Sequence, residues 1–294
     1  MRGIVVGTRG SKLALAQTEK VVKRLKEEGY KSEIKIIKSM GDVMKDKPLH
    51  EFKGVGAFVR TLDLALANKK VDIVVHSYKD VPSDRVKGTV IAAVLERESP
   101  CDAFISKNGK SLDELENNSV IGTSSLRRKA QLKRYRKDLK FENLRGNLDT
   151  RLRKLRNGLY DAIVVAEAGL IRLNLVDKID YQRLNPEIFV PSANQGIIAI
   201  ATRIGEEDLV SFMNHEKTDL EAKVEREVIK GLGVGCAVPV GIYAELKGKV
   251  RLICEILDKK YLRVEEELSR KSAIEEAKEI AENLRGEIYG KQRM

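Results

Sequence analysis

A short polar cluster follows a predicted strand in the first third of the chain. The apolar run VDIVV at 71–75 predicts a buried strand, and Pro82 prevents a ladder or helix from continuing beyond it. Between them lie His76, Ser77, Tyr78, Lys79 and Asp80. In open α/β sheets, ligands bind in the crevice beyond the carboxyl ends of the strands. A neighbouring Lys and Asp at such a place could hold an anion and move a proton.

The members of this cluster differ in what their types predict. Lys79 and Asp80 could form a surface ion pair, which would contribute little. We expect His76 to be a hydrogen-bonded core residue, the commoner role of a histidine beside an apolar run. Asp80 can do more, because a carboxylate close to a Lys is ionised at neutral pH and can stabilise a developing cation.

Arginines recur where predicted strands run into helices. Backbone N–H groups at a helix start bind anions, and a guanidinium adds a bidentate fork for a carboxylate or phosphate. The residues at such junctions are Arg9 with Ser11, Ser125 with Arg127 and Arg128, and then Arg145, Arg151 and Arg172. Basic residues in a first helical turn oppose the helix dipole. We therefore expect a negative group beside Arg127 and Arg128. A plain capped turn and a solvated basic face are the alternatives.

The positive charge of the chain is concentrated in one segment. The 294 residues include 55 Lys and Arg against 44 Asp and Glu, a net charge of +11. Residues 127–156 hold 13 Lys and Arg against Asp138, Glu142 and Asp149, so this segment carries +10. The pattern predicts a partner with several negative charges that contacts this region. Nucleic acid is an alternative, although aromatic residues for base stacking are scarce.

One of three cysteines lies in a glycine-rich segment. Three widely spaced Cys indicate neither a disulfide framework nor a zinc site, and we expect no metal. Cys236 is surrounded by Gly231, Gly233, Gly235 and Gly241, which indicates close backbone approach or a mobile loop. A mobile thiol suits a covalent tether, and a small buried packing residue is the alternative. We expect Cys101 and Cys254 to be packing residues.

The hydrophobic pattern alternates strands and helices and then changes. Up to about residue 203, repeated βα units predict a mostly parallel sheet with helices on both faces. The last part predicts a helix over 219–229, antiparallel strands with a turn at Lys247 and Gly248, and an amphipathic helix over 272–286. No apolar run approaches 18 residues, so we expect no membrane span. The first residues lack a signal-peptide core, and we expect a cytoplasmic protein.

Seven motifs occur together in one order. They are TRGSKLALAQ, VDIVVHSYKDVP, IGTSSLRRKAQL, LRGNLDTRLRKL, YDAIVVAEAGLIRL, ANQG and GCAVPVG. This series resembles the porphobilinogen deaminase (hydroxymethylbilane synthase) family, and the likeness runs from Gly7 to Gly241. The resemblance implies an α/β fold of two domains like periplasmic solute-binding proteins plus a small α+β domain. The implied domains are 1–97 with 196–214, then 98–195, and then 215–294.

The resemblance also implies an activity. Members join four porphobilinogen molecules head to tail, release four ammonia and free hydroxymethylbilane by hydrolysis. The growing chain starts on dipyrromethane, a two-ring cofactor attached through a thioether, and Cys236 matches the attachment site. Asp80 matches the catalytic residue. Each pyrrole carries two carboxylates, so the growing chain accumulates the negative charge that the +10 segment would meet. An ionised Asp80 near the pyrrole N–H groups would stabilise the cation left when ammonia departs.

The family's remaining site residues fall on numbered positions of this chain. The implied cofactor contacts are Lys79, Asp80, Ser125, Arg127, Arg128 and Arg145. The implied substrate contacts are Arg9, Ser11, Arg151, Arg172 and Gln195. The resemblance further implies a monomer that acts on a small molecule and needs neither nucleic acid nor a membrane.

This sequence departs from the family pattern at two positions. Val55 stands where the family often has Lys, and Val234 stands where it usually has Gly. Two other functions stay open on the residues alone. A solute-binding protein without catalysis would share the fold, but it gives Cys236 no role. A nucleic-acid binder would use residues 127–156 and would show strongly salt-dependent binding.

Overall fold

The computed structural model describes residues 3–38, 57–233 and 238–290. The chain divides into two compact units, each built from two stretches of sequence. Unit 1 comprises Met1–Arg97 and Ile197–Asp219, and unit 2 comprises Glu98–Gly196 and Leu220–Met294.

Unit 1 contains one five-stranded sheet. Its strands are β1 (Ile4–Thr8), β2 (Ser32–Ile36), β3 (Ile73–Ser77), β4 (Thr89–Val94) and β10 (Ile198–Arg203). They lie in the order β2-β1-β3-β10-β4. β1 runs parallel to β2 and β3, whereas β10 runs antiparallel to β3 and β4. The sheet is therefore mostly parallel, as predicted, and β10 is the strand of this sheet that runs against the other four. β10 begins beside the carboxyl end of β3, where Tyr78 N donates to Ile197 O. It therefore runs along β3 in the opposite direction.

A helix packs on each face of this sheet, as the periodicity predicts. Helix α1 (Lys12–Glu27) begins at Ser11, whose hydroxyl accepts from Ala14 N. It buries Val21 and Leu25 against β1 and β3. Helix α2 (Ala57–Ala67) packs Leu62 and Leu66 against the opposite face. The two helices close the core on both sides, so the polar ends of the strands are left for function.

Unit 2 contains a second five-stranded sheet. Its strands are β5 (Asp102–Ser106), β6 (Val120–Gly122), β7 (Lys140–Glu142), β8 (Ala162–Ala166) and β9 (Gln182–Arg183), in the order β7-β6-β8-β5-β9. β6 runs parallel to β7 and β8, and β5 runs antiparallel to β8 and β9. Helices α3 (Leu126–Tyr135), α4 (Leu148–Arg156) and α5 (Glu167–Arg172) follow β6, β7 and β8. The order β7-β6-β8 repeats the β2-β1-β3 arrangement of unit 1.

The rest of unit 2 is a three-stranded antiparallel sheet with helices. The strands are β11 (Val240–Lys247), β12 (Lys249–Leu257) and β13 (Tyr261–Leu268), and the helices are α6 (Glu216–Leu232), which begins before the unit boundary, and α7 (Ala273–Tyr289). The β11–β12 turn has Gly248 at φ 79°, as the predicted turn requires. This part forms the α+β addition to two α/β sheets.

Two of the described glycines around Cys236 pack closely against neighbouring elements. A Cβ on Gly231 would lie 2.6 Å from the Ala281 Cβ, and one on Gly241 would lie 2.6 Å from the Val190 carbonyl oxygen. The sequence predicts either close backbone approach or a mobile loop for this glycine-rich segment. Close backbone approach explains the glycines at these two positions. Both ends of the segment that carries Cys236 are fixed by packing.

Candidate active site

The predicted site residues lie in both units. Arg9, Ser11, Lys79 and Asp80 belong to unit 1, and Ser125, Arg127, Arg128, Arg145, Arg151, Arg172 and Gln195 belong to unit 2. Cys236, Val55 and Val234 lie outside the described residues.

The unit 1 group lies where two parallel strands end. Arg9 and Ser11 follow β1, and Lys79 and Asp80 follow β3 in a 3-10 turn, Tyr78–Asp80. β1 and β3 pair in parallel with Gly7 opposite Val74, so their carboxyl ends share one edge of the sheet. Lys79 and Asp80 are exposed while Arg9 and Ser11 are half-buried. The sequence thus brings a carboxylate and two cations to the edge where ligands bind in this class of sheet.

Buried contacts fix the turn that carries Asp80. Tyr78 N donates to Ile197 O at 3.0 Å, and Val81 N donates to Tyr78 O at 3.0 Å. The Gln17 amide donates to the Ser77 hydroxyl at 2.8 Å. His76 is 4% exposed, and its Nε2 lies 2.9 Å from Asp63 Oδ1. The prediction that His76 is a hydrogen-bonded core residue is confirmed, and its partner Asp63 could not be identified from the sequence.

In unit 2, two of the predicted arginines share a buried carboxylate. Arg128 Nη2 donates to Asp102 Oδ1 at 2.7 Å, and Arg127 Nη2 lies 2.9 Å from Asp102 Oδ2. Gln195 Nε2 donates to the same Oδ1 at 2.9 Å. Arg127 and Arg128 are 6% and 7% exposed. Arg127 and Arg128 lie in the first turn of α3, where basic residues oppose the helix dipole, and we therefore expected a negative group beside them. Asp102 is such a group.

The pKa of Asp102 reflects this environment. Burial alone would raise the pKa, but the charges of Arg127 and Arg128 and hydrogen bonds from Arg128 and Gln195 hold it well below its ordinary value. Asp102 is therefore ionised throughout the physiological range.

A second buried carboxylate approaches this cluster from the three-stranded sheet. Glu255 in β12 is 3% exposed and accepts from Gln131 Nε2 at 2.8 Å. The Gln131 Oε1 atom in turn accepts from Arg127 Nη1 at 2.9 Å. Two buried guanidinium groups are thus balanced by Asp102 directly and by Glu255 through one amide. This pairing limits the cost of burying four charged groups.

The other predicted residues of unit 2 differ in exposure. Arg172 is 8% exposed, pairs with Glu98 and donates to Gly196 O. Gln195, 1% exposed, also donates to Pro100 O.

Three other predicted residues of unit 2 are more accessible or cap a helix. Arg151 is half-buried with its Nε donating to Gly146 O, and Arg145 is exposed. Ser125 caps α3 by accepting from Arg128 N. Arg145 is therefore the member of this group whose side chain is most open to a ligand.

The chain matches two family profiles that together cover most of its length. "Porphobilinogen deaminase, dipyromethane cofactor binding domain" matches residues 4–211, and "Porphobilinogen deaminase, C-terminal domain" matches residues 220–290. The chain belongs to the porphobilinogen deaminase family. It is therefore a transferase that polymerises four porphobilinogen molecules to hydroxymethylbilane with release of four ammonia, starting from dipyrromethane.

Curated relatives of the deaminase agree. A protein of Archaeoglobus fulgidus named "Probable porphobilinogen deaminase" is 71% identical over 98% of this chain and 99% of its own length. A "Porphobilinogen deaminase" of Francisella tularensis subsp. novicida is 44% identical over 84% of this chain and 83% of its own. Among solved structures, the methionine-binding protein MetQ is similar over 72% of this chain and 88% of its own, with 17% identity and a TM-score of 0.47.

The residues at the ends of β6 and β7 fit a deaminase cofactor that bears carboxylates. A pocket of about 110 Å³ is lined there by polar and apolar groups, among them Ser124, Ser125, Lys129 and Asn143. Drug-sized ligands fill pockets of about 300 Å³ or more, so this pocket suits one carboxylate arm. The Nε donors of Arg127 and Arg128 are buried and have no hydrogen-bond acceptor among the described residues. The pocket itself offers Lys129 and hydroxyl and amide donors to an anion, beside the carboxylate of Glu142.

We expect Asp102→Asn to lower the free energy of unfolding by about 3–5 kcal/mol, because it leaves two buried guanidinium groups without their carboxylate. Chemical denaturation measures this. The matched control is Asp138→Asn, which breaks the ion pair between Asp138 and Arg136. The Asp138 side chain is 31% exposed, so this variant should lower the free energy of unfolding by at most about 1 kcal/mol.

The same variant has a pH signature. Folding depresses the pKa of Asp102, so its contribution is complete above the unfolded value of about 4 and is lost as the pH falls toward the folded value. The stability gap between wild type and Asp102→Asn should therefore shrink in acid. Equal stability of the two proteins at neutral pH would contradict the assigned role of Asp102.

Proposed function

We propose that Asp80 is the catalytic carboxylate of this deaminase and that Cys236 carries its dipyrromethane. The observation that carries the assignment is the position of Asp80. Its carboxylate is exposed at the carboxyl end of β3, on a turn held by buried hydrogen bonds. A fixed and accessible carboxylate is what stabilisation of a developing cation requires, because the group needs no reorganisation as the charge appears.

Each role of Asp80 follows from the chemistry of a carboxylate. As ammonia leaves porphobilinogen, positive charge develops on the substrate and is shared with the ring nitrogen, and Asp80 stabilises it. The same carboxylate can accept the proton lost when the new ring regains aromaticity. Bound dipyrromethane supplies the pyrrole carbon to which substrate units are added.

The cationic side chains would bind the carboxylates of the pyrroles. Exposed Lys79 and Arg145 and half-buried Arg9 and Arg151 can reach a ligand by side-chain rotation. Ser11 and Ser125 lie at helix starts, where their backbone neighbours favour anions. Buried Arg127 and Arg128 have protein partners, and their share in binding would come through their Nε donors. Arg172 and Gln195 are held by protein partners, so their share would be to shape the site from beneath.

The other two cysteines support Cys236 as the tether. Cys101 and Cys254 are buried. Burial, together with the charge of Glu255, raises the pKa of Cys254 to about 12, and burial likewise raises the pKa of Cys101. A thiol must become a thiolate to act as a nucleophile. Neither buried cysteine would do so at neutral pH.

We infer further properties of the whole protein. It would act in the cytoplasm as a monomer on a small molecule, without nucleic acid. Its three domains would run over 1–97 with 196–214, 98–195 and 215–294. No helix in the described part of the chain is long and apolar enough to cross a membrane.

The purified protein should convert porphobilinogen to a linear tetrapyrrole and release four ammonia for each one formed. The measurement is a parallel assay of ammonia and of released bilane. A protein that binds porphobilinogen without releasing ammonia would instead support the solute-binding alternative. Retention on nucleic acid that falls steeply with salt, in a protein without turnover, would support the third function.

A further inference from the structure

One buried carboxylate holds two segments that flank Asp80. Asp63, in helix α2, is 1% exposed. Its Oδ1 atom lies 2.9 Å from His76 Nε2 and accepts from Arg85 Nη2 at 2.7 Å, and its Oδ2 accepts from Arg85 Nε at 3.1 Å. His76 precedes Asp80 in β3, and Arg85 follows Asp80 in the loop before β4. The chain is thus tied to a single side chain on both sides of the catalytic turn.

The contact with Arg85 is suited to fixing a backbone. Its guanidinium forms a bidentate fork with Asp63, and the Arg85 side chain is only 11% exposed. Bidentate pairs add geometric specificity, which a Lys at the same position does not reproduce. Burial of Asp63 raises its pKa, but the hydrogen bonds and charges of His76 and Arg85 outweigh this and hold the pKa below its ordinary value. The fork is therefore ionic at every pH where the enzyme would work.

The segment after Asp80 is irregular, and it is also held at its far end, where Thr89 donates to Val86 O and Ile204 N donates to Gly88 O. Val81 is buried, but the residues from Ser83 to Lys87 lie outside any helix or strand. Arg85 is the member of this loop that reaches a buried partner by a charged fork. Without Arg85, His76 would still hold the strand side of the turn to Asp63, whereas the loop side would lose its tie to that carboxylate. A shift of about 1 Å in a catalytic group can cost about 10²-fold in rate.

We propose that Asp63 and Arg85 are positioning residues that set the place of the Asp80 carboxylate. This rests on the proposed role of Asp80. Both act through the backbone, since Asp63 is buried and cannot touch a substrate.

Arg85→Met should lower kcat about 10- to 100-fold and leave KM within about threefold, since the carboxylate is displaced and the substrate contacts remain. Arg85→Lys keeps the charge but loses the bidentate fork, so its kcat should lie between those of the wild type and Arg85→Met. The matched control is Arg203→Met. The Arg203 side chain is 14% exposed and also makes a bidentate ion pair in unit 1, with Glu206. Arg203 lies at the end of β10 that is farther from the carboxyl end of β3. It should keep kcat within about twofold.

A double-mutant cycle separates positioning from general destabilisation. Asp80→Glu already displaces the carboxylate, so adding Arg85→Met to it should lower kcat by less than about threefold. Full multiplication of the two losses would overturn the proposal, as would a normal kcat in Arg85→Met. If instead Asp80→Asn itself kept normal turnover, the proposed function would fail, independently of Arg85.

Hydrogen–deuterium exchange gives a readout without turnover. The N–H groups of Tyr78 and Val81 are hydrogen-bonded, and peptides covering 78–88 should exchange about tenfold faster in Arg85→Met than in wild type. Arg203→Met should leave them unchanged. Unchanged exchange of these peptides in Arg85→Met would show that Arg85 does not hold the turn, and the proposal would be abandoned.

Discussion

Asp80→Asn is expected to fold like the wild type, keep its bound primer and lose about 10²- to 10⁴-fold in kcat. The amide has almost the shape of the carboxylate but neither its charge nor its basicity, so it cannot stabilise the developing cation or take up the proton. Asp80 is exposed, and a substitution there should change the free energy of unfolding by no more than about 0.5 kcal/mol. The measurement is steady-state bilane formation with thermal unfolding in parallel.

Asp84→Asn is the matched control for this variant. Asp84 is also exposed and belongs to the same loop, so the change removes an equal charge close by. It should keep kcat within about twofold. An equal loss in both variants would mean that the local field matters and that no particular carboxylate does the chemistry.

The second large effect is expected from Cys236→Ser. A hydroxyl is a far weaker nucleophile than a thiolate at neutral pH, so the variant should lack the mass of two linked pyrrole units and make no bilane. Intact-protein mass spectrometry of the purified protein measures this directly. Cys254→Ala is the control, because Cys254 is buried and its raised pKa keeps it a thiol. It should carry the primer. A primer retained in Cys236→Ser would place the tether elsewhere.

Sequence patterns predict the local elements well because their causes are local. The helix that starts after Ser11 and the hairpin at Gly248 both appear in the structure. Asp80 and Lys79 are recognisable because a polar cluster interrupts an apolar strand. The direction of β10 was not predictable in this way, because it depends on where a distant segment returns to the sheet.

The buried carboxylates mark the limit of sequence analysis. In β12, Glu255 occupies the face opposite Leu252, Cys254 and Ile256, and alternation would place it in solvent. The structure buries it at 3% exposure because Gln131 of another element covers it. Asp63 and Asp102 likewise gain their roles from arginines far along the chain. Such pairings are set by tertiary contacts, and one sequence has no local signal for them.

The central claim is that pyrrole units are added to a primer tethered to this chain, past a fixed Asp80. Intact-protein mass spectrometry after brief mixing with limiting porphobilinogen tests it most directly. The wild type should begin at the primer-bearing mass and show successive increments of one substrate unit less ammonia, whereas Asp80→Asn should begin at the same mass and stay there. Increments at the wild-type rate in Asp80→Asn, or none bound to the wild-type chain during turnover, would contradict the account.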